Sequence, residues 1–319
     1  MLSTRFTQLV GCALPLQQAG MGGVAQRDLA AAVAEAGGLG MIAGVRLPAP
    51  FLADVLEQLP QQTTGKVGVN FLMPFVDRAC VEIAAARARL VEFFYGDPDG
   101  SLIRLVHVGG ALAAWQVGSV EEARQAADAG CDLIVAQGIE AGGHVRGRIG
   151  LLPLLVEVLE AVTVPVVAAG GIGTARAMAA MLAAGADAVR VGTRFVAATE
   201  SLAHPQYKEA LIQAGPEDTV LTEAYSVMWP HAPHRVLRSA VAAAQALPDG
   251  VVGETLIGGN RLALPRFSTP TPLATTTGQI EAMALYAGES VGAVRRVQPA
   301  AEIVRELTEG AERLLRRWA

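Results

Sequence analysis

Residues 164–195 read VPVVAAGGIGTARAMAAMLAAGADAVRVGTRF, and the fold is decided in this run. An apolar stretch at 164–170 has strand length and ends in Gly170-Gly171. An alanine-rich stretch follows at 174–184, closes on Gly185, and leads straight into a second apolar stretch at 188–195. Glycine suits the position after a helix because it accepts the left-handed conformation that ends the helix. The same punctuation appears at Ala36-Gly37-Gly38-Leu39-Gly40 and Ala129-Gly130-Cys131-Asp132-Leu133. One β-α module is therefore being repeated.

Working outward, strands are expected at 15–21, 39–43, 66–72, 90–96, 111–117, 133–138, 164–170 and 188–195. Most are continuous apolar runs, as parallel strands buried on both faces require. Helices are expected between them at 29–36, 51–59, 77–89, 101–107, 120–129, 151–161 and 174–184. Ser119, ahead of Val120 and Glu121, has the character of an N-cap. Eight repeats favour a closed (β/α)8 architecture, the TIM barrel, over an open doubly wound sheet. From about 200 to 280 the rhythm stops and Pro, Thr, His and Trp become frequent. This region is expected to be a helical and loop insertion capping the barrel. Residues 299–319 carry a helical apolar face at Ile303, Leu307, Ala311, Leu314 and Leu315, and are expected to return as the eighth barrel helix. The domain reading is thus 1–199 with 281–319 as barrel, and 200–280 as insertion.

The bulk properties narrow the function. The chain has 319 residues, 52% of them hydrophobic, which suffices for one large barrel core. Its apolar runs are far shorter than the roughly 20 residues of a bilayer span. No basic segment followed by a long apolar stretch opens the chain, so a cytoplasmic protein without membrane association is expected. A net charge of −5 with mixed signs argues against nucleic acid as a partner. Cys12, Cys80 and Cys131 lie far apart and read as buried thiols, with neither disulfides nor a zinc site.

The richest chemistry lies in Ala136-Gln137-Gly138-Ile139-Glu140-Ala141-Gly142-Gly143-His144, at the end of the sixth strand, on the face where barrels place their active sites. Gln137 can hydrogen-bond a planar heterocycle. Gly142 and Gly143 let a ligand approach the backbone. His144 can move a proton near neutral pH, although a loop histidine alone is also compatible with a plain surface role. Gly170-Gly171-Ile172-Gly173 and Arg190-Val191-Gly192-Thr193-Arg194 end strands seven and eight, where these barrels commonly bind phosphate. Arg176 stands where a dinucleotide fingerprint needs glycine or alanine. Gly288-Glu289-Ser290-Val291-Gly292 matches the serine-hydrolase pattern, but the flanking 279–287 reads as helix rather than strand. His231 and His234 flank Pro233 without a carboxylate or thiolate at a metal-binding spacing, so no metal site is expected.

Together, Gln18-Ala19-Gly20-Met21, the 36–40 motif, Gly68-Val69-Asn70-Phe71, 137–144, Ala169-Gly170-Gly171-Ile172 and Gly192-Thr193-Arg194-Phe195 resemble the nitronate monooxygenase family, formerly the 2-nitropropane dioxygenases. That superfamily also includes the FMN-dependent enoyl-acyl-carrier-protein reductase II. The resemblance covers about residues 5 to 208, with an echo at 286–290. It implies an FMN enzyme. Carried over, Met21 and Gly22 would lie along the isoalloxazine, while Asn70, Gln137, Gly142, Gly143, Gly170, Gly171, Gly192 and Thr193 would hold the flavin or its phosphate. His144 would be the catalytic histidine, with Tyr95, Tyr286 and Ser290 in the substrate pocket. Departures are Arg190 in place of a usual Gln or smaller residue, which would add charge near the phosphate, and Gly20 in place of a common Pro. The stretch 91–96 is bulkier and more acidic than in many members, and 222–238, with Trp229-Pro230-His231, is atypical; both regions are expected to shape the pocket.

The activity implied is oxidation of alkyl nitronates, with molecular oxygen as co-substrate, to carbonyl compounds and nitrite. Its rival is reduction of an enoyl thioester or a quinone with NAD(P)H on the same scaffold. A non-enzymatic flavin-binding module and a Ser290 hydrolase are further alternatives. A monomer or homodimer acting on a small molecule is expected.

Overall fold

The computed structural model describes residues 2–257 and 260–317. Eight parallel strands close into a barrel: β1 (Leu16–Gln18), β2 (Leu39–Ala43), β3 (Lys66–Leu72), β4 (Leu90–Phe94), β5 (Leu112–Val117), β6 (Leu133–Gln137), β8 (Val166–Ala169) and β9 (Ala188–Val191). Between β6 and β8 lies β7 (Gly143–His144), a two-residue strand outside the barrel. β9 pairs back onto β1, Gln17 opposite Arg190, which closes the ring.

Helices intervene where the alanine-rich stretches were read, among them Val120–Asp128, Leu151–Ala161 and Ala175–Ala183. Ser119 Oγ accepts the N–H of Glu122, as its N-cap reading required. Gly37, Gly130 and Gly185 all adopt positive φ, at 95°, 102° and 107°, so each punctuates a helix as expected. The last strand is shorter than the expected 188–195, because Gly192 turns the chain into a helical turn, Thr193–Val196.

Alternation along the strands separates two cores. Val67, Val69, Val91, Phe93, Trp115 and Ile134 face the helices. Leu39, Met41, Leu90, Leu133, Val135 and Val167 face the bore. A short N-terminal helix, Arg5–Val10, contributes Phe6 and Val10 to the same bore cluster and plugs one end of the barrel. It was not foreseen; at six residues it carries too little periodicity to read. Farther along the strands the bore turns polar, with Gln17, Asn70, Glu92, Gln116, Gln137 and Arg190 all buried.

The insertion was expected to hold helices and loops. It has the helices Pro205–Gln213 and Arg238–Ala246, but also strands. β10 (Thr219–Thr222) and β11 (His234–Leu237) pair antiparallel, and β7 joins them on the far edge of β11. β12 (Val251–Ile257) and β13 (Asn260–Pro265) form a second antiparallel pair, flanked by β14 (Thr277–Gly278). Its own cluster includes Tyr207, Leu211, Tyr225 and Val236 and extends to Ala287, Val291 and Val294. The chain rejoins the barrel core at the helix Ala300–Leu315, through Ile303, Val304, Leu307 and Ala311. Residues 318 and 319 of the expected helix lie outside the described residues. No helix among the described residues is long and apolar enough to cross a membrane.

Candidate active site

At the C-terminal ends of the strands, a cavity of about 400 Å³ opens between barrel and insertion. Met21, Gly22, Asn70, Gln137, Gly142 and Gly143 line it, as do His144, Gly170, Gly171, Gly192, Thr193, Tyr286 and Ser290. Tyr95 alone among the expected site residues is not part of the wall. It lies behind His144, its ring edge-on at 5.8 Å, with positive φ (66°) and its hydroxyl pKa pushed up to about 12 by burial.

One side of the cavity is a backbone cradle. Gly170 and Gly171 take φ of 112° and 64°, in the left-handed range that side chains resist. The N–H groups of Gly171, Ile172 and Gly173 donate to no acceptor among the described residues. Opposite them, Thr193 Oγ1 accepts the N–H of Gly288 at 3.0 Å. Gly142 is pressed on the same segment: a Cβ there would lie 2.4 Å from the Gly288 nitrogen. The 286–290 echo is therefore part of the cradle. Ser290 packs on Gly173, where an added Cβ would meet Ser290 Cβ at 2.9 Å.

Those placements correct two sequence readings. The stretch 279–287 was read as helix, but it holds only a single 3-10 turn, Ile280–Ala282. Ser290 follows a loop and sits in another 3-10 turn, Glu289–Ala293, so no strand presents it as a nucleophile. Arg190 does not lie at the phosphate cradle. Its side chain points into the bore and spans to β4, where Nη1 donates to Glu92 Oε1 and to Gln116 Oε1, each at 2.5 Å. Glu92 also accepts Asn70 Nδ2 and Gln17 Nε2, each at 2.8 Å. The floor of the cavity is thus a charged, cross-braced layer. β9 and β4 stand opposite each other in an eight-stranded ring, which is why no local spacing hinted at the pair.

His144 is held from two directions. Gln137 Nε2 donates to its carbonyl at 3.1 Å. β7 also pairs it with His234, locking the loop to the insertion. Its ring stacks on Trp229 at a centroid distance of 3.9 Å and packs near Tyr286 at 5.6 Å. Trp229 in turn meets Tyr95 and Phe75 edge-on at 4.7 and 5.1 Å. This aromatic packing removes water, and burial first, then the neighbouring His234, lower the His144 pKa from 6.5 to about 3. Nε2 of His144 and Oε1 of Gln137 are buried without a protein partner. His234 is no metal ligand in this arrangement: Nδ1 faces the Ala232 carbonyl and Nε2 accepts the Tyr225 N–H. His231 is exposed, with positive φ.

The stretch carrying Trp229 was expected to shape the pocket, and Trp229 does line it; sequence reasoning missed its contact with His144, and missed Arg46. Arg46, with positive φ, stacks its guanidinium 4.1 Å from the Phe75 centroid and donates to the Met228 carbonyl at 3.0 Å. It so fastens the loop that carries Trp229. Phe51, Leu202 and Leu256 line the cavity yet remain about 40% exposed, forming an apolar rim at its mouth.

The residues fit FMN. A phosphate needs N–H groups without competing acceptors, as at 171–173. A flat ring needs glycine-lined walls and a polar atom to spare, as at Gly22, Gly142 and the unpartnered Oε1 of Gln137.

Known proteins resemble this chain in sequence and in fold. The family profile described as "Nitronate monooxygenase" matches residues 3–79 and 49–310. A (3aS,4S,5R,7aS)-5-hydroxy-7a-methyl-1-oxo-octahydro-1H-indene-4-carboxyl-CoA dehydrogenase of Mycobacterium tuberculosis is 36% identical over 242 residues, spanning 75% of this chain and 67% of that protein. FabK from Thermotoga maritima superposes with a TM-score of 0.81 at 29% identity, covering 100% of this chain and 99% of FabK. A nitroalkane oxidase of Streptomyces ansochromogenes does so at 0.77 with 31% identity, covering 98% of this chain and 100% of the other.

Proposed function

From the premise that this oxidoreductase chain belongs to the nitronate monooxygenase family, we propose that it binds FMN and oxidises alkyl nitronates, with oxygen, to carbonyl compounds and nitrite. The observation that carries the reading is the buried, unpartnered Nε2 of His144, set in an aromatic pocket over a cavity whose opposite side is an anion cradle. FMN, when bound, supplies the electron transfer. The protein's own part is to bind, orient and move one proton.

The cradle at 171–173 and Thr193 would hold the phosphate, and Gln137 and Asn70 would hold the ring. His144 then meets the substrate as a neutral imidazole. Protonating it alone in this dry pocket is costly, which is the meaning of its lowered pKa. Removing the α-proton of a neutral nitroalkane creates a nitronate anion beside the new imidazolium. Each charge stabilises the other at close range in a low dielectric, so the transfer becomes favourable only when substrate is present. Afterwards the imidazolium holds the nitronate through a charge-assisted hydrogen bond. Trp229 excludes water from that pair.

The apolar rim of Phe51, Leu202 and Leu256 supports a second reading, because a small nitroalkane leaves it uncovered. An acyl chain would cover it. In that reaction NAD(P)H is the reductant, an enoyl thioester the acceptor, and His144 the donor of the α-proton. Purified protein loaded with FMN and mixed without oxygen separates the two. Bleaching of the visible spectrum by a nitronate, with inertness to NADH, is expected. Rapid bleaching by NADH instead makes the reductase reading correct, and a protein that takes up no FMN ends both.

A further inference from the structure

Resting on the FMN reading above, we infer that Arg190, steered by Glu92, sets the reduction potential of the bound flavin from inside the barrel bore.

Arg190 is 7% exposed and Glu92 not at all, yet Arg190 lines the cavity whereas Glu92 lies beneath it. The arginine engages its partners through Nη1 only. Its Nε and Nη2 donate to no acceptor among the described residues, and they are absent from the polar atoms sealed without a partner. Donor capacity therefore remains on the cavity side of a guanidinium whose other side is neutralised. Glu92 is committed three ways, to Arg190, Asn70 and Gln17, so it cannot turn away. The pair consequently presents a dipole, positive end toward the cavity, under the polar layer formed with Asn70, Gln116 and Gln137. A wall built only for stability would be served by apolar side chains, since a buried ion pair gains little over them.

Uptake of two electrons and one proton gives the flavin ring one additional negative charge. A fixed cation below the ring, in a site of low dielectric, stabilises that charge and raises the potential. Glu92 opposes it and trims the effect, so the two residues act with opposite sign.

The test is the midpoint potential of FMN-loaded full-length protein, titrated spectroscopically with dithionite against a reference dye. Arg190→Gln is expected to lower the potential, Glu92→Gln to raise it, and Arg190→Lys to stay near the wild type. Because Arg190→Gln strands a buried carboxylate and can unfold the chain, the double variant Arg190→Gln/Glu92→Gln removes both charges; its potential is expected below the wild type. A purely structural brace would not produce shifts of opposite sign. Unchanged potentials in Glu92→Gln and in the double variant, with FMN retained, overturn the inference. A wild-type protein that takes up no FMN overturns the flavin reading itself, and this inference with it.

Discussion

His144 works from a position that water has largely left. In the proposed reaction its substitution by alanine leaves the cradle intact and removes the proton acceptor. Turnover of a neutral nitroalkane is then expected to drop by roughly 10²–10⁴-fold, that of a preformed nitronate, which has no α-proton left to give up, by less, while FMN affinity, read by fluorescence quenching, stays unchanged. The lowered pKa makes a separate prediction about pH. The folded protein keeps this imidazole neutral down to about pH 3, whereas the unfolded chain protonates it below its ordinary value of 6.5. Between those limits the unfolded state binds more protons, so acidification from 6.5 toward 3 destabilises the fold through this residue. Denaturation midpoints at neutral and mildly acidic pH, compared for wild type and His144→Gln, measure it; an equal pH dependence in both would refute it. Trp229→Ala admits water to the ring and should move its NMR titration back up toward 6.5. His144 itself was legible because it ends a glycine-rich loop after an apolar strand. Trp229 was legible only as part of an atypical, pocket-shaping stretch; its contact with His144 was not, because it arrives from 85 residues away.

At the scale of elements, the decisive join is between loops. The 286–290 segment closes the cradle only because Gly142 has no side chain: a Cβ there would overlap the backbone of Ala287 and Gly288. Gly142→Ala should therefore cost roughly 1–3 kcal/mol of overpacking and weaken FMN binding about ten-fold or more. Fluorescence titration and a melting curve on the same variant check both. A variant with wild-type affinity and melting would show that the two segments part without loss. The barrel strands were readable because strands buried on both faces must be apolar throughout. β7 and β11 were not, since two residues carry no alternation and their pairing joins His144 to His234 across the sequence. The hairpin of β12 and β13 went unread for a related reason: it packs a small core of its own, with Val252 and Leu264, and leaves Val251 exposed.

Across the whole molecule, stability and chemistry are kept at opposite ends of the barrel. Phe6 and Val10 fill the bore at the plugged end, beneath Leu39, Leu90 and Leu133, and Arg5 ties the plug to Asp187 at 2.7 Å. Phe6→Ala should cost roughly 3–5 kcal/mol, as other buried Phe truncations do, with a clear fall in melting temperature and FMN affinity preserved. A large loss of FMN affinity in that variant would mean the two ends are coupled through the bore. The insertion plays the other part. It brings Trp229, β11 and the 286–290 segment over a site whose barrel half is already in place.

The order of strands, the glycine punctuation and the position of the glycine-rich loops and of His144 at the strand ends followed from the sequence alone, because each depends on contacts within one β-α unit, and that unit recurs along the chain. Partnerships across the bore and between barrel and insertion did not. Arg190 reads as a cation beside a phosphate loop until closure of the ring sets Glu92 opposite it. His144 reads as an ordinary imidazole until Trp229 covers it. Local periodicity records which face of an element is buried; it holds no record of what buries it, and the charge state of a side chain is decided by the latter.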